Sequence, residues 1–170
     1  RNIFEQLRET KPDVVFNALH GQFGEDGRIQ SVCDILQIPY THSGVLASAL
    51  GMHKQVAKEV FRQHQLRVPE GKVMTLAEIM REEPMPRPYV IKPVNEGSSV
   101  GVHLMLAGSN HTPAQVIEAD APGAFLVETY IRGCELTVAV LDGKPLAVTE
   151  LRPKQGFYDY DNKYTGGKTE

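Results

Sequence analysis

Lys92 stands inside Tyr89-Val90-Ile91-Lys92-Pro93-Val94, a stretch apolar enough to be a strand. An ammonium placed there loses water unless an anion meets it, and burial without one lowers its pKa. Five residues on, Gly97-Ser98-Ser99-Val100-Gly101 offers glycines that let backbone N–H groups approach an anion and hydroxyls that add donors. Lysine and loop together suit a phosphate clamp. The same residues equally suit a snorkelling lysine before a glycine hairpin, and this segment alone leaves both open. They also match Gly-x-Ser-x-Gly, the nucleophile elbow of serine hydrolases, with Ser99 as nucleophile. An elbow runs from strand into helix, however, and Val100 to Leu106 reads as strand; His103 and His111 follow too closely to be the distant base.

Other residues carry weaker signals. Lys54 follows Met52-His53 at the start of a helix, where it either reaches a phosphate or is simply solvated. Glu128 and Glu135 flank Thr129-Tyr130-Ile131, whose backbone can hold a flat base while the carboxylates take amino and hydroxyl groups; each is otherwise a surface charge. His20 precedes a glycine-rich loop and can touch a substrate carboxylate or be satisfied locally. Lys163-Tyr164 lies in a tail without periodicity, from Gln155 to Glu170, which reads as a long loop and a candidate lid.

The elements that must position these residues follow from periodicity. Ile3, Phe4 and Leu7 have helical spacing, and Asp13 to Leu19 reads as a buried strand feeding the loop HGQFGEDG. Ile29, Val32, Cys33 and Leu36 then face one side of a helix, so strand, loop and helix predict a layer with a parallel sheet. Ser43 is a candidate cap for a helix through Leu50, and Val56, Ala57, Val60 and Phe61 line the next helix, ended by Pro69 and Gly71. Thr75 with Glu78 and Thr112 with Gln115 are capping boxes. Strands are predicted over 89–94, 100–106, 125–131, 136–141 and 145–151, the last two joined by a hairpin at Asp142-Gly143. The first part is thus α/β and the second α+β.

Composition narrows the partners. A formal net charge of −3 gives no broad basic face for nucleic acid. No apolar run reaches the roughly 18 residues of a membrane span. Cys33 and Cys134 have no metal-type spacing and make a poor disulfide framework, which favours the reducing cytoplasm. The chain opens on Arg1-Asn2-Ile3 without a methionine, so its natural N-terminus is expected upstream.

Taken together, HGQFGEDG, GMHK, VIKPVNEGSSVGV, VETYIRGCELTVAVL and FYDYDNKYTGGKTE closely resemble the D-alanine–D-alanine ligase family, in order and spacing, over essentially the whole chain. The resemblance implies an ATP-grasp architecture. Residues 1–47 would belong to an N-terminal α/β domain, 48–127 to the central ATP-grasp subdomain, and 128–170 to the start of the C-terminal subdomain with part of the lid. It further implies that Lys54 and Lys92 contact the ATP phosphates and that Glu96, Gly97, Ser98, Ser99 and Gly101 lie in a loop closing over them. Glu128, Thr129, Tyr130 and Ile131 would hold adenine, and Glu135 the ribose. His20 would lie near the D-alanine carboxylate, Ser98 would organise the substrate site, and Lys163 and Tyr164 would belong to the lid, Tyr164 bonded toward Ser98. Related ligases that make D-alanyl-D-lactate differ at that tyrosine, typically carrying histidine.

The implied reaction activates one D-alanine as an acyl phosphate, which the amino group of a second D-alanine then attacks. It implies a cytoplasmic homodimer that uses Mg2+ or Mn2+. The family's metal ligands, its upstream glutamate loop and its downstream arginine are absent from these residues, so the 170 residues alone are not expected to turn over. In the full protein, Lys92→Ala is expected to abolish ligation and spare the fold. A noncatalytic nucleotide-binding module is the alternative; it would need Lys54, Lys92 and Glu135 but neither His20 nor Tyr164.

Overall fold

A computed structural model describes residues 2–97, 99–118 and 121–152 of the chain. It divides into two compact units, Arg1–Val68 with Pro93–Gly97, and Pro69–Lys92 with Ser98–Glu170.

The first unit is mainly helical. Helix α1 (Ile3–Thr10) starts where the Asn2 side chain accepts from the Phe4 N–H, and ends at Lys11 with a left-handed φ of 45°. Helix α2 (Arg28–Ile35) buries Ile29 and Cys33, two of the four residues its periodicity assigned to the core face. Helices α3 (Val45–Met52) and α4 (Lys54–Gln63) are separated by His53 alone. Its extended backbone interrupts the helix, and its imidazole accepts from the Val56 N–H at 3.3 Å. Gly44 precedes α3 where Ser43 was expected; the Ser43 carbonyl instead accepts from the Ser48 hydroxyl.

The stretch from Asp13 to Leu19 departs from its reading as a buried strand. Only Val15 pairs, in a parallel bridge to Tyr40, through Val15 N–H to Pro39 O and Thr41 N–H to Val15 O. Phe16 is 79% exposed. A parallel strand is hidden on both faces only when it has neighbours and covering helices, and among the described residues one neighbour is present. The parallel direction, with α2 between the paired segments, nevertheless agrees with the predicted layer.

The second unit holds a four-stranded sheet in the order β1 (Gly71–Thr75), β4 (Ala124–Thr129), β2 (Tyr89–Pro93), β3 (His103–Met105). Strands β1 and β4 are antiparallel, Gly71 opposite Glu128, and so are β2 and β3, Tyr89 opposite Met105. Alternation sends Met74, Tyr89, Ile91, Met105, Phe125 and Val127 to one face, where Ile79 of helix α5 (Leu76–Arg81) and Ile117, just after helix α6 (Pro113–Val116), close the core. Strand β1 was not predicted. Its exposed Lys72, Val73 and Thr75 leave one buried side chain, Met74, too little to set a period. Gly71 lets it lie close to β4, since a Cβ there would come 2.4 Å from the Val127 carbonyl oxygen.

Helix α5 begins with the predicted capping box, Glu78 N–H to the Thr75 hydroxyl and Thr75 N–H to the Glu78 carboxylate at 2.7 Å. At α6 the Thr112 N–H donates to the Gln115 side chain at 2.8 Å, with Pro113 in the first turn. Arg87 fastens the loop after β3 to the approach to β2. It donates to both oxygens of Glu83, to Ser109 O at 2.6 Å and to His111 O at 2.7 Å. The fully buried Tyr89 donates its hydroxyl to Glu83 at 2.8 Å; burial first, and that carboxylate second, push its pKa up.

Strands β5 (Glu135–Leu141) and β6 (Lys144–Leu151) form the predicted hairpin, turning through Asp142 and Gly143, both at positive φ. Its apolar side chains, Leu136, Val138, Val140, Leu146 and Val148 among them, are exposed. No helix among the described residues is long and apolar enough to cross a membrane.

Candidate functional site: two loops and a paired lysine

In the first unit, the loop from His20 to Gly27 is closed by its own polar groups. The Gly21 N–H donates to the Glu25 carboxylate at 2.5 Å, and the Glu25 N–H donates back to Gly21 O at 2.9 Å. Gly24 packs against Leu19 so tightly that a Cβ would lie 2.4 Å from the leucine Cβ. Its carbonyl accepts from the side-chain amides of Asn17 and Gln30, at 2.8 and 3.0 Å. Both amide nitrogens also meet His42 Nε2, which must therefore accept; the proton is assigned to Nδ1, facing Ser43 O. Burial opposes the charge of Asp26, but the N–H groups of Phe23 and Arg28 and the Arg28 guanidinium outweigh it and hold the carboxyl below its usual range. His20 is exposed at the loop's mouth.

Residues 93–97 pack within the same unit. The Lys54 ammonium, at the first position of α4, donates to Pro93 O at 2.8 Å and to Glu96 O, while the Lys54 N–H donates to Val94 O at 3.1 Å. Gln22 donates to the Glu96 carboxylate at 2.9 Å. A Cβ on Gly97 would lie 3.5 Å from the Glu25 carboxylate and 3.6 Å from Gly21 Cα, so the chain here runs directly along the 20–27 loop.

In the second unit, Lys92 pairs with Glu128 of β4; its side chain is 24% exposed and that of Glu128 7%. The anion demanded by a lysine in an apolar strand is therefore supplied by the protein itself. Beyond Glu128, the Thr129 N–H donates to Glu70 O at 2.8 Å and the Tyr130 N–H to Pro88 O at 3.2 Å. Neither N–H is left to hold a base. A cavity of about 660 Å³ adjoins this segment, lined by Val102, His103, Leu104, Leu106, Val116, Tyr130 and Arg132. Burial lowers the His103 pKa, with Glu118 partly opposing. Glu135 is exposed at the start of β5.

Ser99 has a φ of 62° and Gly101 of 65°, so a non-glycine residue takes the left-handed conformation within the turn joining β2 to β3. Left-handed residues re-aim successive N–H groups, the geometry of an anion nest. This turn also shortens the predicted strand 100–106 to 103–105 and leads into strand, not helix, which removes the context a Ser99 nucleophile would need. Ser98, Lys163 and Tyr164 lie outside the described residues, as does the predicted loop over 155–170.

The family described as D-ala D-ala ligase C-terminus matches residues 47–170, and the one described as D-ala D-ala ligase N-terminus matches residues 2–43. The chain belongs to the D-alanine–D-alanine ligase family. Similar ligases occur in Granulibacter bethesdensis, 54% identical over 92% of this chain and 51% of that protein, and in Novosphingobium aromaticivorans, 48% identical over 100% and 56%. A crystal structure of the Bacillus anthracis ligase complexed with ATP superposes with a TM-score of 0.69 at 29% identity, over 100% of this chain and 57% of that one. The architecture is accordingly ATP-grasp. The chain spans about half the length of the curated ligases it matches.

Within this chain the structure brings together residues that the sequence could only name one by one. Lys92 and Glu128 form one ion pair, and Lys54, Glu96 and Gly97 gather beside the HGQFGEDG loop. The ion pair was not foreseen; the resemblance implied Lys54 beside the loop that begins at Glu96, but not the HGQFGEDG loop against it. The first depends on β4 lying beside β2, and the second on a contact between residues 74 positions apart, Gln22 and Glu96. Gln22 carried no signal of its own in a single sequence. Among the described residues no group of three or more His, Cys, Asp or Glu side chains is placed to hold a metal ion.

Proposed function

We propose that the protein carrying these residues joins two D-alanine molecules into D-alanyl-D-alanine at the expense of ATP, through an acyl phosphate, for peptidoglycan precursors. The observation that carries the reading is the convergence of three separate motifs in one unit: the loop at 21–25, Lys54, and the root of the serine–glycine loop at 93–97. Loops that meet on a scaffold are where binding residues concentrate.

The residues fit the parts of a nucleotide. Lys54 donates to two carbonyls, which are weaker acceptors than a phosphoryl oxygen, so phosphate competes well with them. Unit charges about 4 Å apart attract by about 4 kcal/mol at an effective dielectric near 20, and this is what each lysine offers a triphosphate. Lys92 would offer it from β2, beside Glu128. The loop from Glu96 through Gly97, Ser98 and Ser99 to Gly101 would close over the phosphates with its N–H groups and hydroxyls. The base would enter the cavity beside Tyr130, taking the Ile131 N–H as donor and the carbonyls of Thr129 and Tyr130 as acceptors. Glu135 would take the ribose hydroxyls, and His20 the carboxylate of D-alanine.

Ser98 would organise the substrate site, with Lys163 and Tyr164 in the lid that excludes water. On the family resemblance, magnesium or manganese would be held by residues other than those described, and no step here is assigned to it. A cytoplasmic homodimer and the partition at residues 47/48 and 127/128 belong to the same reading. Its test is to supply the full-length protein with ATP, Mg2+ and either D-alanine alone or D-alanine with D-lactate, and to identify products by mass. D-alanyl-D-alanine is expected in both; a depsipeptide as main product, or no ATP-dependent product, overturns it.

A further inference from the structure

Glu96 is held twice over. Its carbonyl receives the Lys54 ammonium, and its carboxylate receives the side-chain amide of Gln22 at 2.9 Å. It directly precedes the Gly97–Gly101 loop, and Gly97 lies against Gly21 and Glu25. Gln22 itself is two residues from His20, on a loop whose shape is fixed by Glu25, Asn17 and Gln30. An otherwise unremarkable exposed glutamine therefore connects the loop that carries His20 to the root of the serine–glycine loop.

We infer that Gln22 is a positioning residue: through Glu96 it holds the phosphate-covering loop in register with the loop that receives the D-alanine carboxylate. This rests on the ligase reading above, in which carboxylate and phosphate must be brought together to react. Reacting atoms need to approach within about 3–3.5 Å, and a displacement of about 1 Å is enough to cost a hundredfold in rate. The amide also has an electrostatic task. It turns the Glu96 carboxylate toward the 20–27 loop, and a carboxylate released from it is free to face a triphosphate of the same sign.

The full-length protein tests this with a swap. Gln22→Ala should lower kcat about tenfold while KM for D-alanine stays within about twofold, as expected when geometry and not binding is lost. Gln22→Glu should be worse, because two carboxylates then oppose each other. In the double variant Gln22→Glu with Glu96→Gln, amide and carboxylate exchange places and the hydrogen bond re-forms, so kcat should rise several-fold above that of Gln22→Glu, without having to reach wild type because Glu96 itself belongs to the phosphate loop. Amide hydrogen exchange over residues 97–102 should follow the same order: faster in both single variants, restored in the swap. Unchanged kcat in Gln22→Ala, or a swap no better than the worse single variant at equal thermal stability, overturns the inference. A wild-type protein inactive with ATP and D-alanine would sink the ligase reading instead, and the exchange pattern would still decide whether Gln22 fixes the loop.

Discussion

Lys54 and Lys92 meet the same difficulty, an ammonium partly withdrawn from water, with different partners. In the first unit Lys54 is met by the carbonyls of Pro93 and Glu96. In the second, Lys92 is met by Glu128, a nearly buried carboxylate on the neighbouring strand β4. The difference follows how each unit is built. The second has a packed core of eight buried apolar residues whose strand alternation brings β2 and β4 side chains into opposition. In the first the buried apolar residues are few, Ile29, Cys33 and Ile38 among them, and its loops are shaped by amide and carboxylate bonds to backbone. Removing Lys92 takes the ammonium from a nearly buried carboxylate, whereas removing Lys54 takes a donor from two carbonyls.

The largest test of that contrast is Lys92→Ala. Removing one partner of a largely buried pair leaves the other charge short of its counter-ion, at about 3 kcal/mol. The expectation that this change spares the fold is therefore withdrawn: urea midpoints should fall along with ligation. Lys92→Met combined with Glu128→Leu should recover most of the stability and none of the activity. If Lys92→Ala unfolds at the wild-type midpoint, the pair is not what holds the Glu128 charge.

Gly24→Ala should come next. Its Cβ would collide with the Leu19 side chain and backbone, and relief requires loosening the Asn17 and Gln30 bonds to the Gly24 carbonyl, a loss of about 2 kcal/mol. Native-state hydrogen exchange should show it in residues 17–30 and leave β2 and β4 unaffected, because the second unit's core does not depend on that loop. Lys54→Met should be milder still for stability, about 1 kcal/mol, since water can replace an ammonium at a partly buried carbonyl. Its effect should appear in turnover, with KM for ATP rising by about tenfold or more. Equal stability losses at Lys54 and Lys92 would abolish the contrast.

How far the sequence foretold this differs between the two units for the same physical reason. Strands 89–93, 124–129 and the hairpin at Asp142-Gly143 were legible because local periodicity and turn chemistry determine them. The Thr75–Glu78 box was legible because its donor and acceptor are three residues apart. The stretch 13–19 was misread because apolar residues state a capacity for burial, and the neighbours that would use it are not among the described residues. Strand β1 was missed because one buried methionine has no period. Among site residues, Lys92 and Glu128 could each be named, but their pairing is a property of sheet order, and Gln22 acquires meaning only from Glu96 across 74 positions.

Arg87 sharpens the comparison because it combines both solutions, carbonyls of Ser109 and His111 and the carboxylate of Glu83. The Arg87 hydrogen bonds outweigh the desolvation that opposes them and, with a smaller contribution from the Tyr89 hydroxyl, hold the Glu83 carboxyl below its ordinary 4.5. A carboxyl whose folded pKa is depressed contributes stability above its unfolded pKa, and that contribution is lost as pH falls through the folded value. Stability of the second unit should therefore be insensitive to this group from neutrality down to about 4.5 and decline below it. Because Glu83 is 41% exposed on its side chain, solvent screening keeps the contribution under about 1 kcal/mol. Glu83→Gln keeps the carbonyl bonds of Arg87 and removes the titrating group, so urea midpoints measured from pH 6 to pH 3 should be slightly lower at the top of the range and converge with wild type at the bottom. Parallel curves would mean that the carbonyls alone hold Arg87, which would place it with Lys54 and not with Lys92.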